Sequence, residues 1–139
     1  MKIENKDLKI DTSSSFEIID ITSEIQNLCN IKNGIVNIFT KHSTSAIVIN
    51  ENEKGLLRDL KNCLESLVPK ENNYFHDSID SNAHSHLKSF LLSSSQTVPV
   101  TNFKLDLGTW QSVFFIELDG PRNSRTVELT FIGEPWKLM

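Results

Sequence analysis

Four consecutive apolar residues, Val113-Phe114-Phe115-Ile116, constrain the fold of this chain more than any other feature. The run is β-branched and aromatic, which suits a strand, and successive side chains of a strand point to opposite faces. A strand that is apolar on both faces has to be covered on both faces. The segment therefore reads as a strand buried on both faces. The stretch 125–133 reads differently: Val127, Leu129 and Phe131 alternate with Glu128 and Thr130, so one face is covered and the other is polar.

Other segments supply the remaining elements. Gln96–Thr101, Phe103–Leu107 and Gly108–Leu118 read as strands before Arg125–Gly133, with turn chemistry at Asn102 and Asp119-Gly120-Pro121. Gly34–Lys41 and Ser45–Asn50 are rich in apolar and β-branched residues and read as two strands of a covered sheet, with His42 at the strand end between them. Leu8/Ile10 and Phe16/Ile18/Ile19 flank the polar cluster 11–15, which predicts a hairpin over 7–20. From Glu53 the period changes: Leu56, Leu57, Leu60, Cys63, Leu64, Leu67 and Val68 form a helical stripe that Pro69 stops. A short helix capped by Thr22 carries Ile25, Leu28 and Cys29 inward and ends at Asn33-Gly34. A third, capped by Asn82, buries Ala83, Leu87, Phe90 and Leu91 and ends at Ser93-Ser94-Ser95. Strands at both ends with helices between them predict an α+β fold, a β-sandwich-like core of two sheets with about three flanking helices.

The 139 residues fit one domain, 1–139, with core enough to need no disulfide. Cys29 and Cys63 occupy apolar helical positions and read as reduced core thiols. A net charge of −4 argues against a nucleic-acid surface, which needs clustered Lys and Arg. The charged start at Lys2, Glu4, Lys6 and Asp7 has no apolar h-region, and no run of about 18 apolar residues occurs. The expectation is a cytoplasmic protein with no membrane partner.

Candidate chemistry centres on histidine. His42, His76, His84 and His86 fall in a strand-end turn, a long polar loop over 70–81, and the start of a helix. On a helix, positions 84 and 86 are about 200° apart, so at most one of them joins a common site. His42, His76 and His86 could offer a three-nitrogen face to a divalent ion, zinc by ligand type, or act separately as acid, base or hydrogen-bonding groups; the spacing does not decide between these. Asp77 reads as a solvated loop carboxylate, and Glu51 as either a surface group or an orienting carboxylate. Lys88, Arg122 and Arg125, with the serine clusters 43–45 and 93–95, could hold a phosphate or other small anion. There is no G-x-S-x-G elbow, Walker loop or G-x-G-x-x-G turn. Trp110 reads as a core or subunit contact, and Gln111 as a buried polar group in need of a partner.

The ordered segments 42–51 (HSTSAIVINE), 82–89 (NAHSHLKS), 107–111 (LGTWQ) and 119–122 (DGPR) together resemble the successive signatures of the YjbQ family (UPF0047), over nearly the whole chain from Leu8 to Glu134. The resemblance implies a compact fold with a β-sandwich core, a homotrimer, and a weak thiamine-phosphate-synthase-like activity secondary to an open physiological role. It also implies that His42, His76 and His86 lie by a polar pocket that can bear metal, with His84 at a variable position. It raises Glu51 as a site carboxylate and assigns Arg122 to the Asp-Gly-Pro-Arg turn. Two functions follow as expectations: an enzyme handling small phosphorylated heterocycles, with Lys88 or Arg122 on phosphate, or a housekeeping module that binds a metal or small anion without turnover. Dedicated synthases of this kind use a (β/α) barrel, and this chain has none of the required alternation.

Overall fold

The run Val113–Ile116 forms the middle strand of a three-stranded sheet and is covered on both sides, as its composition demands. The computed structural model describes residues 1–135. In chain order the elements are β1 (Lys2–Ile10), β2 (Glu17–Asp20), α1 (Thr22–Leu28), β3 (Ile31–Thr40), β4 (Ser45–Asn50) and α2 (Lys54–Leu67). A 3₁₀ turn (Phe75–Ser78), α3 (Ala83–Leu92), β5 (Ser95–Thr101), β6 (Lys104–Leu105), β7 (Ser112–Glu117) and β8 (Arg125–Pro135) follow. They build an α+β sandwich of a five-stranded sheet, β1-β8-β3-β5-β6, against the smaller sheet β2-β7-β4.

Val113 and Phe115 face the large sheet and join Val36, Ile38, Leu129 and Phe131 in the main core. Phe114 and Ile116 face the other way, beneath Leu57 and Leu60 of α2 and Leu92 of α3. The large sheet on one side and helices on the other supply the cover expected on both faces of this strand. Among the described residues, no helix is long and apolar enough to cross a membrane.

Several local expectations are corrected. The stretch 7–20 is not a hairpin: β1 pairs with β8 in the large sheet and β2 with β7 in the small one, so the chain crosses between layers at 11–16. That crossing is fastened by buried Thr12, whose N–H donates to the Arg122 carbonyl (2.8 Å) and whose hydroxyl donates to Glu117 Oε1 (2.7 Å). Thr22 does not cap α1; Asp20 Oδ1 accepts from both the Thr22 amide (2.9 Å) and its hydroxyl (2.6 Å). Asn33-Gly34 does not end α1 but lies within β3, where Gly34 sits opposite Gly133 of β8. Cys63 is exposed on α2, while Cys29 is half-buried against the core. Trp110 is 73% exposed in the single chain, which overturns the core reading and not the subunit contact; Gln111, expected to be buried, is exposed in a turn where its Oε1 accepts from the Gly108 amide (2.8 Å).

The most informative correction concerns α3. Its buried residues are Ala83, Ser85 and Lys88, whereas of the rest of the expected apolar stripe Phe90 and Leu91 point outward and Leu87 is partly exposed. The helix is held by hydroxyls instead of by that stripe. Ser85 Oγ donates to the Leu118 carbonyl (2.6 Å) and Ser89 Oγ to the Ser45 carbonyl (2.7 Å), the end of β7 and the start of β4, which adjoin at one end of the small sheet.

Candidate functional site: a histidine pocket at the end of the small sheet

Docking α3 through Ser85 and Ser89 turns His86 out of the helix towards the loop that precedes it. Asp77 fastens that loop, since its Oδ1 accepts from the Ala83 amide (3.0 Å) at the open start of the helix. Asp77 is therefore not merely solvated: it supplies the cap expected of Asn82, whose own side chain makes no cap bond. The 3₁₀ turn then sets His76 against His86, edge to face, with ring centroids 4.9 Å apart and planes at 76°.

Asn82 is buried and spends its amide on the site. His76 Nε2 donates to Asn82 Oδ1 (2.9 Å), and Asn82 Nδ2 donates to Asp119 Oδ2 (2.9 Å). Arg122 closes the series from the other side, donating from Nη2 to Asp119 Oδ2 (3.0 Å) and from Nε to the Asp119 carbonyl (2.9 Å). A histidine, an amide, a carboxylate and a guanidinium are thus held in one hydrogen-bonded line.

His42 enters from the strand end between β3 and β4. Its carbonyl accepts from Ser45 Oγ (3.0 Å), which in turn accepts from Thr40 Oγ1 (2.7 Å). Its ring Nε2 accepts from the Thr126 amide (2.8 Å). A ring nitrogen that accepts carries no proton, so the neutral imidazole has its proton on Nδ1, as a donor. Burial lowers the pKa of His42 below its ordinary 6.5, and the Arg125 guanidinium lowers it further.

Beneath this lies a buried ion pair that sequence reading did not find. Glu117 is fully buried; Oε1 accepts from Arg125 Nε (2.9 Å), Oε2 from Arg125 Nη2 and from the Asp119 amide (3.1 Å). Arg125 Nη2 also reaches Thr44 Oγ1 (3.0 Å). Burial pushes the Glu117 carboxyl up, but the hydrogen bonds from Arg125 and Thr12 outweigh it, and its pKa lies below the ordinary carboxylate value. The pair occupies Arg125, expected on a ligand, with structural work.

Of the concavities that meet at His86, two frame the site. One is an apolar groove of about 520 Å³ lined by Tyr74, Phe75, His76, Leu87 and Phe90 as well as His86. The other is a polar basin of about 310 Å³ where His86 joins His42, Ser43, Asn82 and Arg122. The structure therefore gathers His42, His76, His86 and Arg122. It does not gather Glu51, which follows the far end of β4, six residues and about 20 Å of strand from the His42 end. Lys88 also stands apart, in a different cavity across the Asn82–Asp119 wall, together with His84. The separation of His84 from His86 is the one their helical phase predicts.

The arrangement suits anions better than metals. Among the described residues, no three His, Cys, Asp or Glu side chains are grouped so as to hold a metal ion. His42 would have to give up the Thr126 bond or its Nδ1 proton to become a ligand, and His76 Nε2 is taken by Asn82. The expected three-nitrogen face is thus not formed within one chain. What the basin does present is the His42 Nδ1–H and the edge of Arg122 that Asp119 leaves free, both donors, beside the paired Asp119 carboxylate.

A protein-family model described as "UPF0047 protein YjbQ-like" matches residues 6–134. A UPF0047 protein of Methanothermobacter thermautotrophicus is 51% identical over 138 residues, spanning 97% of this chain and 96% of the relative. One from Archaeoglobus fulgidus is 47% identical over 121 residues, spanning 87% and 96%. Among solved structures, a YbjQ-like protein of unknown function from Sulfolobus solfataricus P2 superposes with a TM-score of 0.93 at 40% identity, covering 96% of this chain and 99% of its own. A hypothetical protein of Aeropyrum pernix K1 does so with a TM-score of 0.88 at 32% identity, covering 94% and 99%.

Proposed function

The chain belongs to the UPF0047 YjbQ-like family, and from that premise we propose that it is an enzyme acting on a small phosphorylated heterocycle at the histidine pocket. One observation carries the reading: His86 lines both the apolar groove and the donor-rich basin. A flat ring against Tyr74, Leu87 and Phe90 would leave its phosphoryl group among His42 Nδ1–H, Asn82 and Arg122, with His86 at the junction where bonds change.

Thiamine-phosphate-synthase-like coupling, expected from the family resemblance, is the specific reaction this would permit. There a ring nitrogen of a thiazole phosphate attacks the methylene carbon of a pyrimidine diphosphate; the C–N bond forms as the C–O bond breaks, and pyrophosphate leaves with the electron pair. His42 and Arg122 would meet the charge growing on that leaving group, and His86 would exchange its proton. The activity is read as secondary to the natural one, with the substrate class shared.

A second reading, an anion-binding module without turnover, draws on the pairing of the nearby cations. Arg122 is bonded to Asp119, Arg125 to Glu117 and Lys41 to Glu128, which leaves modest free charge for catalysis. Turnover of the pyrimidine diphosphate and thiazole phosphate by wild type and His86→Ala separates the two. A loss of about 10²-fold or more in the variant, with folding unchanged, supports catalysis; equal rates, or saturable binding with no turnover in wild type, overturn it.

A further inference from the structure

We propose that the cavity behind the Asn82–Asp119 wall is a second, separate binding site for a phosphate monoester, anchored by Lys88 and His84. This cavity of about 540 Å³ runs between the start of α3, Phe16 and Leu118, and it shares only the wall residues with the basin. Lys88 is 6% exposed, lines it, and has no hydrogen bond or ion pair among the described residues. Lys88 thus buries its stem while its ammonium has no hydrogen-bond acceptor among the described residues, Glu65 being the carboxylate whose charge acts on it, and an anion entering the cavity would complete it.

His84 stands one helical turn before Lys88, on the same face. Its tautomer follows from a neighbour. Ser85 Oγ gives its proton to the Leu118 carbonyl (2.6 Å), so at 3.4 Å from His84 Nε2 it can only accept, and the ring proton sits on Nε2. Nδ1 is then a bare acceptor, buried and without a partner. A phosphate in the cavity would accept from Lys88 through its unprotonated oxygens, and His84 Nδ1, sealed in the resting chain, would accept from a P–O–H once its ring turns towards the cavity. Burial lowers the pKa of both groups below their ordinary values, which an arriving anion would reverse.

The other charged groups define the rest of the ligand. Asp119 is already held by Asn82 and Arg122, and Asp77 is spent on the Ala83 amide. Lys70, Glu65 and Asp80 are exposed lining residues. Glu65 and Asp80 disfavour a second anionic group and accept from hydroxyls or amines, so the ester's remainder is a hydroxylated or amino-bearing molecule, not a diphosphate.

The test is a titration of 15N-histidine-labelled protein with glycerol phosphate and with inorganic phosphate, read by histidine NMR and by melting temperature. Wild type, His42→Ala and Lys88→Met are compared; Met fills the Lys88 volume, and His42→Ala disables the basin. The expected result is a saturable shift of the His84 Nδ1 signal towards the imidazolium position, with a rise in melting temperature, in wild type and His42→Ala, and neither in Lys88→Met. Shifts confined to His42 and His86, or an unchanged response in Lys88→Met, overturn the site. The wild-type His84 signal decides even where Lys88→Met fails to fold, and none of these readouts depends on turnover at His86.

Discussion

At the scale of single residues, the site is governed by which atoms are already spoken for. His42 Nε2 is used by the Thr126 amide, so His42 serves as an Nδ1–H donor. Elemental analysis of wild type and His42→Ala is therefore expected to show no ion that depends on His42; one divalent ion per chain, lost in the variant, would restore the histidine metal centre. The Glu117–Arg125 pair sets the largest local penalty. Arg125→Met would leave a fully buried carboxylate without its cation, at a cost of about 3–5 kcal/mol in chemical denaturation. Acid sensitivity has a sign that follows from burial. His42 and His84 are both harder to protonate folded than unfolded. Below their ordinary 6.5 the unfolded chain binds more protons, so stability declines as pH falls from there and is flat with respect to these two above it. Glu117, with its pKa below the ordinary 4.5, adds a further loss as pH drops through the range beneath that value. Melting curves from pH 7.5 to 5.5 should show the first decline, and His42→Phe should reduce it.

At the scale of elements, what could be read from sequence was what depends on a residue's own neighbours along the chain. Val113–Ile116 required cover on two faces and has it; Val127, Leu129 and Phe131 required one face, and all three are buried. The hairpin over 7–20 failed because β1 and β2 choose partners more than 90 residues away, β8 and β7, and no local pattern encodes that choice. Of the stripe expected to be buried on α3 only Ala83 is, because hydroxyl bonds to strand-end carbonyls outweighed the apolar residues after it. Glu117 went unnoticed because a carboxylate within a strand signals nothing until Arg125 is beside it. The β3–β8 pairing is likewise a matter of contact: a Cβ on Gly133 would fall on the Asn33 carbonyl, and one on Gly34 on the Ile132 carbonyl. Both obstacles are backbone and cannot swing aside. Gly133→Ala should therefore destabilise the chain by more than the roughly 1 kcal/mol typical of point substitutions, with loss of amide protection along 34–37.

At the scale of the whole molecule, the outward apolar stripe of α3 has to be accounted for. Phe75 is 98% exposed and Phe90 84%, both lining the groove, and Ile79 and Leu91 are exposed on the same loop and helix that carry His76 and His86. Scattered apolar residues are ordinary on a monomer, but a contiguous cluster beside a pocket marks a contact surface. The homotrimer expected from the family resemblance supplies an occupant, a second copy of this chain, and would seat the histidine groove at a subunit boundary. Covering Phe75 and Phe90 would also close the groove to water, strengthening every hydrogen bond in the adjoining basin. Sedimentation of wild type should then give three chains per particle. Phe90→Asp should give monomers that keep their fold, because Phe90 touches no core in the single chain, and the same variant should lose turnover although His42, His86 and Arg122 are intact. A monomeric wild type would show that the groove is complete within one subunit, and a Phe90→Asp trimer with full activity would show that Phe90 neither joins the subunits nor carries the substrate.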